Sequence, residues 1–178
     1  MLTVEQLTSA TPEQLLAGYA AVLRELRSRE IVRTNNAPAG DYAEWLAQRA
    51  LGGVLAPNSV KSYDLTLDDG TRVQVKARVV GHPILNSQRQ MSPFRSWDFG
   101  LGALVQLSSV DYSVLRATLV PTSEIRSRAT YRSHVSGDVA FMTDDLLGAP
   151  GARDVTAAFR AAAQDGPRAP DSERLKHV

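Results

Sequence analysis

The most constraining feature of this sequence is the segment 63–76, YDLTLDDGTRVQVK. Apolar and polar residues alternate in both halves of the segment, and Asp68-Asp69-Gly70 separates the halves. Alternation with a period of two is typical of a β-strand with one buried face, and a short break containing Gly between two such runs is typical of a hairpin. We therefore predict an antiparallel hairpin against which the other elements pack.

The length of the turn decides which side chains share a face of this hairpin, because a shift of one residue moves every side chain of a strand to the opposite face. A two-residue Asp69-Gly70 turn would place Asp64 opposite Val75, among apolar groups. A three-residue turn with Gly70 in the left-handed conformation instead pairs Asp64 with Gln74, and burial of the apolar residues favours it. The apolar face then comprises Tyr63, Leu65, Leu67, Val73 and Val75, and the polar face Asp64, Thr66, Arg72, Gln74 and Lys76.

Helices and further strands on both sides of the hairpin predict a mixed architecture. Thr11-Pro12 followed by Gln14 is a capping box, and the helix that it starts has an apolar face that we expect to be buried, formed by Leu15, Tyr19, Val22 and Leu26. Further elements are a helix over 41–51 ending at Gly52-Gly53, strands over 99–107 and 113–120, a short helix after Pro121, a strand over 139–142 and a helix after Asp154. The predicted fold class is α/β (α+β), a mixed β-sheet of four or five strands flanked by helices.

A chain of 178 residues has the size of one domain. We predict a single domain over residues 1–164, with its core in about 11–125. The segment 165–178 is polar and contains Pro, which is typical of a flexible tail.

The composition excludes several kinds of chemistry. The chain has no cysteine, which excludes disulfides, thiolate metal sites and cysteine nucleophiles. No apolar run is long enough to span a bilayer, and the N-terminus does not have the pattern of a signal peptide. We therefore expect a cytoplasmic protein without a membrane partner.

The charge is unevenly distributed although the net charge is only +1. Between Gly70 and Trp97 there is no Asp or Glu, and the segment carries Arg72, Lys76, Arg78, Arg89 and Arg95. A solvated basic loop would explain this pattern. The alternative is a surface that contacts phosphates.

The polar face of the hairpin could hold a metal ion. A carboxylate and an amide oxygen on adjacent strands, such as those of Asp64 and Gln74, suit a hard cation such as Mg²⁺. Lys76 on the same face could then orient a water molecule and neutralise charge that develops on a phosphoryl group. The alternative is an exposed ion pair between Asp64 and Lys76, which would contribute about 0 to 1 kcal/mol.

Three short motifs together resemble the PD-(D/E)XK nuclease superfamily, which has the restriction-endonuclease-like fold. They are Gly40-Asp-Tyr-Ala-Glu44 on a helix, Ser-Tyr-Asp64 at the head of a strand, and Val-Gln-Val-Lys76 at the end of the next strand. The resemblance covers residues 11 to 125 approximately and departs from the family pattern twice. Tyr63 stands where the family has Pro, and Gln74 stands where it has a second acidic residue. Some members, including the endonuclease partner of certain bacterial transposases, are similar in having Gln-x-Lys there.

The resemblance implies a function and a set of site residues. It implies an endonuclease that uses Mg²⁺ or Mn²⁺ to hydrolyse phosphodiester bonds, most simply in double-stranded DNA, and leaves a 5′-phosphate. The implied catalytic residues are Asp64, Gln74, Lys76 and Glu44; the implied metal ligands are Asp64, Gln74, Glu44 and the backbone carbonyl of Val75; and the implied nucleic-acid contacts are Arg72, Arg78, Arg89 and Arg95. A homodimer or larger complex would supply two sites for two strands. The alternative is an inactive module of the same fold that binds nucleic acid or a protein partner.

Overall fold

The computed structural model describes residues 4–34, 36–57, 59–60 and 62–164, so the predicted tail at 165–178 lies outside the described residues. The described helices are α1 (Val4–Ser9), α2 (Pro12–Ser28), α3 (Ala39–Leu51), α4 (Thr122–Ser127), α5 (Asp144–Leu147) and α6 (Thr156–Gln164). The described strands are β1 (Val54–Leu55), β2 (Leu65–Thr66), β3 (Arg72–Val80), β4 (Leu101–Ser108), β5 (Val114–Pro121), β6 (Thr130–Arg132), β7 (Gly137–Val139) and β8 (Arg153–Asp154).

The main sheet is mixed and has the strand order β1-β2-β3-β4-β5-β8. Neighbouring strands are antiparallel except for β3 and β4, which are parallel. The predicted α/β class is confirmed, whereas the predicted count of four or five strands is wrong because the sheet has six. The edge strands β1 and β8 are only two residues long, too short to show an alternating pattern in the sequence. Strands β6 and β7 form a separate two-stranded sheet, and of these only β7 overlaps the region expected near 139–142.

The hairpin has the three-residue turn predicted from its pattern. Leu65 pairs with Val73, the N–H of Leu67 donates to the carbonyl of Thr71 at 2.9 Å, and Gly70 has a φ of +83°. The predicted register is therefore confirmed, and it explains why the apolar residues of both strands are buried together. On the opposite, polar face lie Asp64, Gln74 and Lys76.

Tyr63 does not lie on the apolar face to which the pattern assigned it. The chain bends before β2, and the Tyr63 ring packs against the hydrophobic cluster on the other side of the sheet. The guanidinium of Arg72 lies 4.9 Å from the centre of this ring. The alternation therefore holds only from Asp64 onwards, where the two strands pair.

Each face of the main sheet carries one hydrophobic cluster. On one face, α3 and α6 pack on the sheet through Leu46 and Phe159, both fully buried. On the other face, Leu104 and Ile125 are buried together with residues of the 81–100 segment and of α5. The core therefore extends beyond residue 125 and includes α5 and α6.

Residues 81–100 form the crossover between the parallel strands β3 and β4. The segment contains a 3-10 turn at Asn86–Arg89 and no α-helix. Met91, Phe94 and Phe99 are only 1%, 2% and 6% exposed. The crossover therefore packs on the face of the sheet that carries Gln74 and Lys76 through these three side chains, while other residues of the segment, among them Ser92 and Arg95, are exposed.

Helix α2 is present as predicted, but its apolar face is not buried. The capping box is formed, with Thr11 N–H donating to Gln14 Oε1 at 2.8 Å. Leu15, Tyr19 and Val22 are nevertheless 41%, 48% and 51% exposed. Helical periodicity identifies an apolar face but not the surface that covers it, and here none of the described elements covers it. No helix in the described part of the chain is long and apolar enough to cross a membrane.

Candidate active site

Asp64 is held at the head of the hairpin by contacts to β3. Its backbone N–H donates to the carbonyl of Val73 at 2.9 Å, and its Oδ2 accepts from the N–H of Val75 at 2.7 Å. The same oxygen accepts a hydrogen bond from the amide nitrogen of Gln74. One carboxylate oxygen therefore anchors Asp64 to β3, and Oδ1 is the oxygen left for other partners.

The backbone carbonyl of Val75 faces the same edge of β3. A residue in a strand directs its N–H and its C=O to the same side, and the N–H of Val75 points towards Asp64. The short strand β2 begins at Leu65, opposite Val73, and so does not pair with this carbonyl. The carbonyl of Val75 is therefore directed to the side of β3 on which Asp64 lies.

Glu44 approaches Asp64 from helix α3. It lies in the second turn of the helix, and its Oε2 forms an ion pair with a guanidinium nitrogen of Arg33. Glu44, Asp64 and Arg33 line one cavity of about 180 Å³. The Glu44 side chain is 18% exposed. The structure thus brings together the two carboxylates that the sequence analysis singled out.

Arg33 precedes α3 and, besides its ion pair with Glu44, is fixed by two contacts to α3 and to the segment that follows it. Its second guanidinium nitrogen donates to the carbonyl of Ala56 at 2.9 Å, and its backbone N–H donates to Asp41 Oδ2 at 2.8 Å. Asp41 also accepts from the N–H of Thr34 at 2.6 Å. The guanidinium is therefore positioned beside Glu44 by the backbone on both sides of α3.

Both carboxylates have a raised affinity for protons. Burial raises the pKa of Glu44 to about 7, with the charge of Asp64 adding to the effect and Arg33 opposing it. Burial also raises the pKa of Asp64, against the N–H of Val75 and the charge of Lys76. Two buried carboxylates near one another favour a bound cation or a bound proton over two free charges.

Lys76 is held on the same face of the hairpin by the crossover segment. Its ammonium donates to Ser92 Oγ at 3.0 Å and to the carbonyl of Pro93 at 3.4 Å, and it lies 4.8 Å from the centre of the Phe94 ring. Burial lowers the pKa of Lys76, while the charges of Asp64 and Glu44 raise it. The ammonium, Glu44 and Asp64 therefore lie within electrostatic reach of one another.

The donor set fits a hard divalent cation. In the described part of the chain no group of three or more His, Cys, Asp or Glu side chains is placed to hold a metal ion. Mg²⁺, however, is commonly bound through one or two carboxylates and completes its shell with water and substrate phosphate. Asp64 and Glu44 supply two carboxylates, and Val75 adds a carbonyl. Gln74 donates a hydrogen bond to Asp64 through its amide nitrogen, so its amide oxygen is the atom of this side chain that could bind a metal ion.

Two of the four candidate nucleic-acid contacts remain open to the surface. Arg95 is exposed, and its charge acts on Lys76, which places it near the site. Arg72 is 45% exposed and forms an ion pair with Asp98 at 2.6 Å. Asp98 lies one residue beyond the acid-free segment, so the sequence window that isolated the basic residues did not include this partner.

The other two candidates hold the crossover segment in place. Arg78 Nε donates to the carbonyl of Gln88 at 2.9 Å. Arg89 is 20% exposed, donates to the carbonyl of Met142 at 3.2 Å and lies 3.6 Å from Asp144. Both guanidinium groups therefore have structural partners in the fold.

Sequence reasoning missed Arg33 and Ser92. Arg33 lies in an irregular segment that carries no periodic signal, and its partner Glu44 is eleven positions away. Ser92 is one of several serines in the crossover, and only the fold distinguishes it by placing it at Lys76. One signal in the sequence could have indicated an arginine partner for Glu44. It was the acidic Gly40-Asp-Tyr-Ala-Glu44 motif, because a guanidinium is the usual partner of a half-buried carboxylate.

No protein-family model matches this chain, and a comparison with curated proteins found no match.

Proposed function

We propose that this protein is a metal-dependent endonuclease that hydrolyses phosphodiester bonds in double-stranded DNA. The observation that carries the proposal is the convergence of Glu44, Asp64 and Lys76 from three parts of the chain: Glu44 and Asp64 line one cavity, and the charges of both act on the Lys76 ammonium. Buried ionisable groups are costly to the fold, and clusters with perturbed pKa values are concentrated at functional sites.

Asp64 and Glu44 would hold the divalent cation, Mg²⁺ or Mn²⁺, together with the carbonyl of Val75 and the amide oxygen of Gln74. When bound, the cation would neutralise the two carboxylates, polarise the phosphate and promote ionisation of a water molecule. Gln74 is neutral where the family pattern has an acid, so Glu44 supplies the second negative charge. Arg33 holds Glu44 in place through Oε2 of the carboxylate, which leaves Oε1 for the cation.

Lys76 would act directly on the reacting groups. Its ammonium is oriented by Ser92 and Pro93 and retains a further N–H for a phosphate oxygen or the attacking water. A preorganised cation at this position stabilises the negative charge that develops in the transition state. We assign the phosphate contacts along the duplex to Arg95 and Arg72, and a structural role to Arg78 and Arg89.

A binding module without cleavage is the second candidate. It is favoured by one observation: Asp64 already accepts two hydrogen bonds from β3, and Glu44 already has Arg33, so the site is satisfied without a metal. In such a protein the basic residues would serve binding alone.

Cleavage of supercoiled DNA, linear DNA and RNA in Mg²⁺ and in Mn²⁺ tests the proposal. Asp64→Asn and Lys76→Met are each expected to lower the rate of DNA cleavage by about 100-fold or more, the usual effect of removing a metal ligand or a transition-state cation. Asp68→Asn at the tip of the same hairpin is the matched control and is expected to cleave like the wild type.

Metal binding has its own readout. Mg²⁺ is expected to raise the melting temperature of the wild type and of Asp68→Asn but not that of Asp64→Asn, because a ligand that binds only the folded state stabilises it. A wild-type protein that binds duplex DNA and cleaves nothing would support the binding module. Cleavage that survives both Asp64→Asn and Lys76→Met would place the activity elsewhere.

A further inference from the structure

Helix α2 exposes a continuous apolar face on the surface of the protein. Leu15, Tyr19, Val22 and Leu26 follow one another at intervals of four, three and four residues, which places them on one side of the helix. The first three are 41–51% exposed, and Leu23 is the one residue of α2 that is buried. This spacing is typical of a seam between two helices, and an exposed apolar patch of this kind is typical of an interaction site.

The shape of this face is a ridge between two grooves. A cavity of about 450 Å³ on one side is lined by α2, α3 and the turn at Tyr112, and a cavity of about 650 Å³ on the other side is lined by α1 and α2. Tyr19 and Val22 line both cavities. A ridge flanked by grooves fits a second surface of the same shape, because helices pack by placing ridges into grooves.

The spacing of the apolar residues is the same in both directions along the helix. In an antiparallel arrangement about a two-fold axis, Leu15 of one copy meets Leu26 of the other, and Tyr19 meets Val22. All four apolar residues are then paired by a single symmetric contact, as an isologous interface requires. A parallel arrangement would place each residue beside its own equivalent and both basic ends together.

The charges on α2 also favour the antiparallel arrangement. Glu13 is the one charged residue in the first two turns, whereas the last two turns carry Arg24 and Arg27 against one acid, Glu25, whose carboxylate already pairs with Arg29. Reversing one helix against the other brings the acidic end of each copy towards the basic end of its partner, and it opposes the two helix dipoles. We therefore propose that two copies of this chain associate through antiparallel packing of their α2 helices. This interface does not depend on the proposed nuclease function.

Cross-linking tests the arrangement, and the absence of cysteine from the chain makes it selective. Leu15→Cys and Leu26→Cys are prepared as separate proteins, mixed and oxidised. Antiparallel packing predicts covalent dimers only in the mixture, because residue 15 then faces residue 26 of the other copy. A disulfide within one chain is excluded, because each variant carries a single cysteine. Covalent dimers in either protein alone would overturn the antiparallel arrangement.

Sedimentation equilibrium tests the interface itself. The wild type is expected to be a dimer, and Tyr19→Glu and Val22→Glu are expected to be monomers, because each places a charge in the seam. The controls Tyr131→Glu and Val54→Glu alter residues that are 64% and 71% exposed elsewhere, and they are expected to remain dimers. Unchanged near-ultraviolet circular dichroism verifies that the variants are folded.

Three results would overturn the proposal. A dimeric Tyr19→Glu/Val22→Glu double variant would place the interface on another surface. If the wild type is a monomer and dimerises only after removal of residues 165–178, the C-terminal segment of the same chain occupies the α2 face. If the wild type is a monomer with and without that segment, there is no interface between copies.

Discussion

The position of Glu44 has one explanation in the local sequence and a different one in the folded structure. In the helix predicted over 41–51 Glu44 lies in the first turn, where a carboxylate is favoured by the helix dipole and no further role is needed to explain it. In the structure its properties come instead from Asp64 and Arg33, which lie twenty and eleven positions away in the sequence. Burial and the charge of Asp64 raise the pKa of Glu44 to about 7, and this shift is a statement about stability as well as chemistry.

The raised pKa of Glu44 predicts a pH-dependent loss of stability. In the unfolded chain the carboxyl ionises near its ordinary value of 4.5, and in the folded protein near 7. Between these pH values the folded state binds a proton that the unfolded state lacks. The stabilising contribution is therefore complete below pH 4.5 and is lost as the pH rises to about 7.

Urea unfolding of the wild type and of Glu44→Gln across this pH range measures the effect. We expect the free energy of unfolding of the wild type to fall by about 1 to 3 kcal/mol relative to that of the variant between the two pH limits. The comparison uses the difference in slope, so a constant loss from removing the partner of Arg33 does not affect it. Parallel pH profiles would contradict the assignment.

At the scale of elements, the β2–β3 hairpin and helix α2 behave in opposite ways. The hairpin is specified locally, because the burial pattern and the left-handed conformation of Gly70 allow one register. Helix α2 is also specified locally, by its capping box and its periodicity, but its environment is not. The junction between α3 and β1 shows a third case, in which a glycine is required by close contact with a neighbouring strand.

Gly53 and Gly70 provide a matched pair for this contact. Both have positive φ, of +85° and +83°, so an added side chain strains both backbones. A Cβ at Gly53 would also lie 2.2 Å from the carbonyl oxygen of Thr66, whereas one at Gly70 would meet nothing within 4 Å. Gly70→Ala is expected to lower the free energy of unfolding by about 1 kcal/mol and Gly53→Ala by about 2 kcal/mol or more. Equal losses in chemical unfolding would show that the contact has no role.

At the scale of the whole molecule, the two faces of the sheet depend on parts of the chain beyond the recognisable motifs. The helices α5 and α6 and the 81–100 crossover complete the two hydrophobic clusters. The candidate site lies on the same sheet, where the chain enters β2 beside β3 and the crossover contacts the polar face of β3. Loss of packing in α6 should therefore weaken the entire sheet.

Phe159 in α6 tests this dependence. It is fully buried against the sheet, whereas Phe141 is 38% exposed. Phe159→Ala is expected to lower the free energy of unfolding by about 3 to 5 kcal/mol, because it removes a buried ring and leaves a cavity. Phe141→Ala is the control and is expected to have an effect of about 1 kcal/mol or less. A small effect at Phe159 in thermal and urea unfolding would separate α6 from the core.

The sequence by itself determined the elements that depend on neighbours in the chain. The register of the hairpin, the start of α2, the glycine-terminated end of α3 and the strands β4 and β5 all follow from periodicity, capping and turn geometry over a few residues. The same reasoning placed Asp64, Gln74 and Lys76 on one face, because side chains in paired strands alternate with a fixed period.

Only the tertiary structure decided which charges meet and which surfaces are covered. The Arg33 contact to Glu44, the Ser92 contact to Lys76, and the ion pairs of Arg72 with Asp98 and of Arg89 with Asp144 join residues that are 11 to 55 positions apart. Local patterns cannot indicate such pairs, since they depend on how layers stack and on where the chain crosses the sheet. For the same reason periodicity indicated an apolar face on α2, and the fold alone left that face exposed.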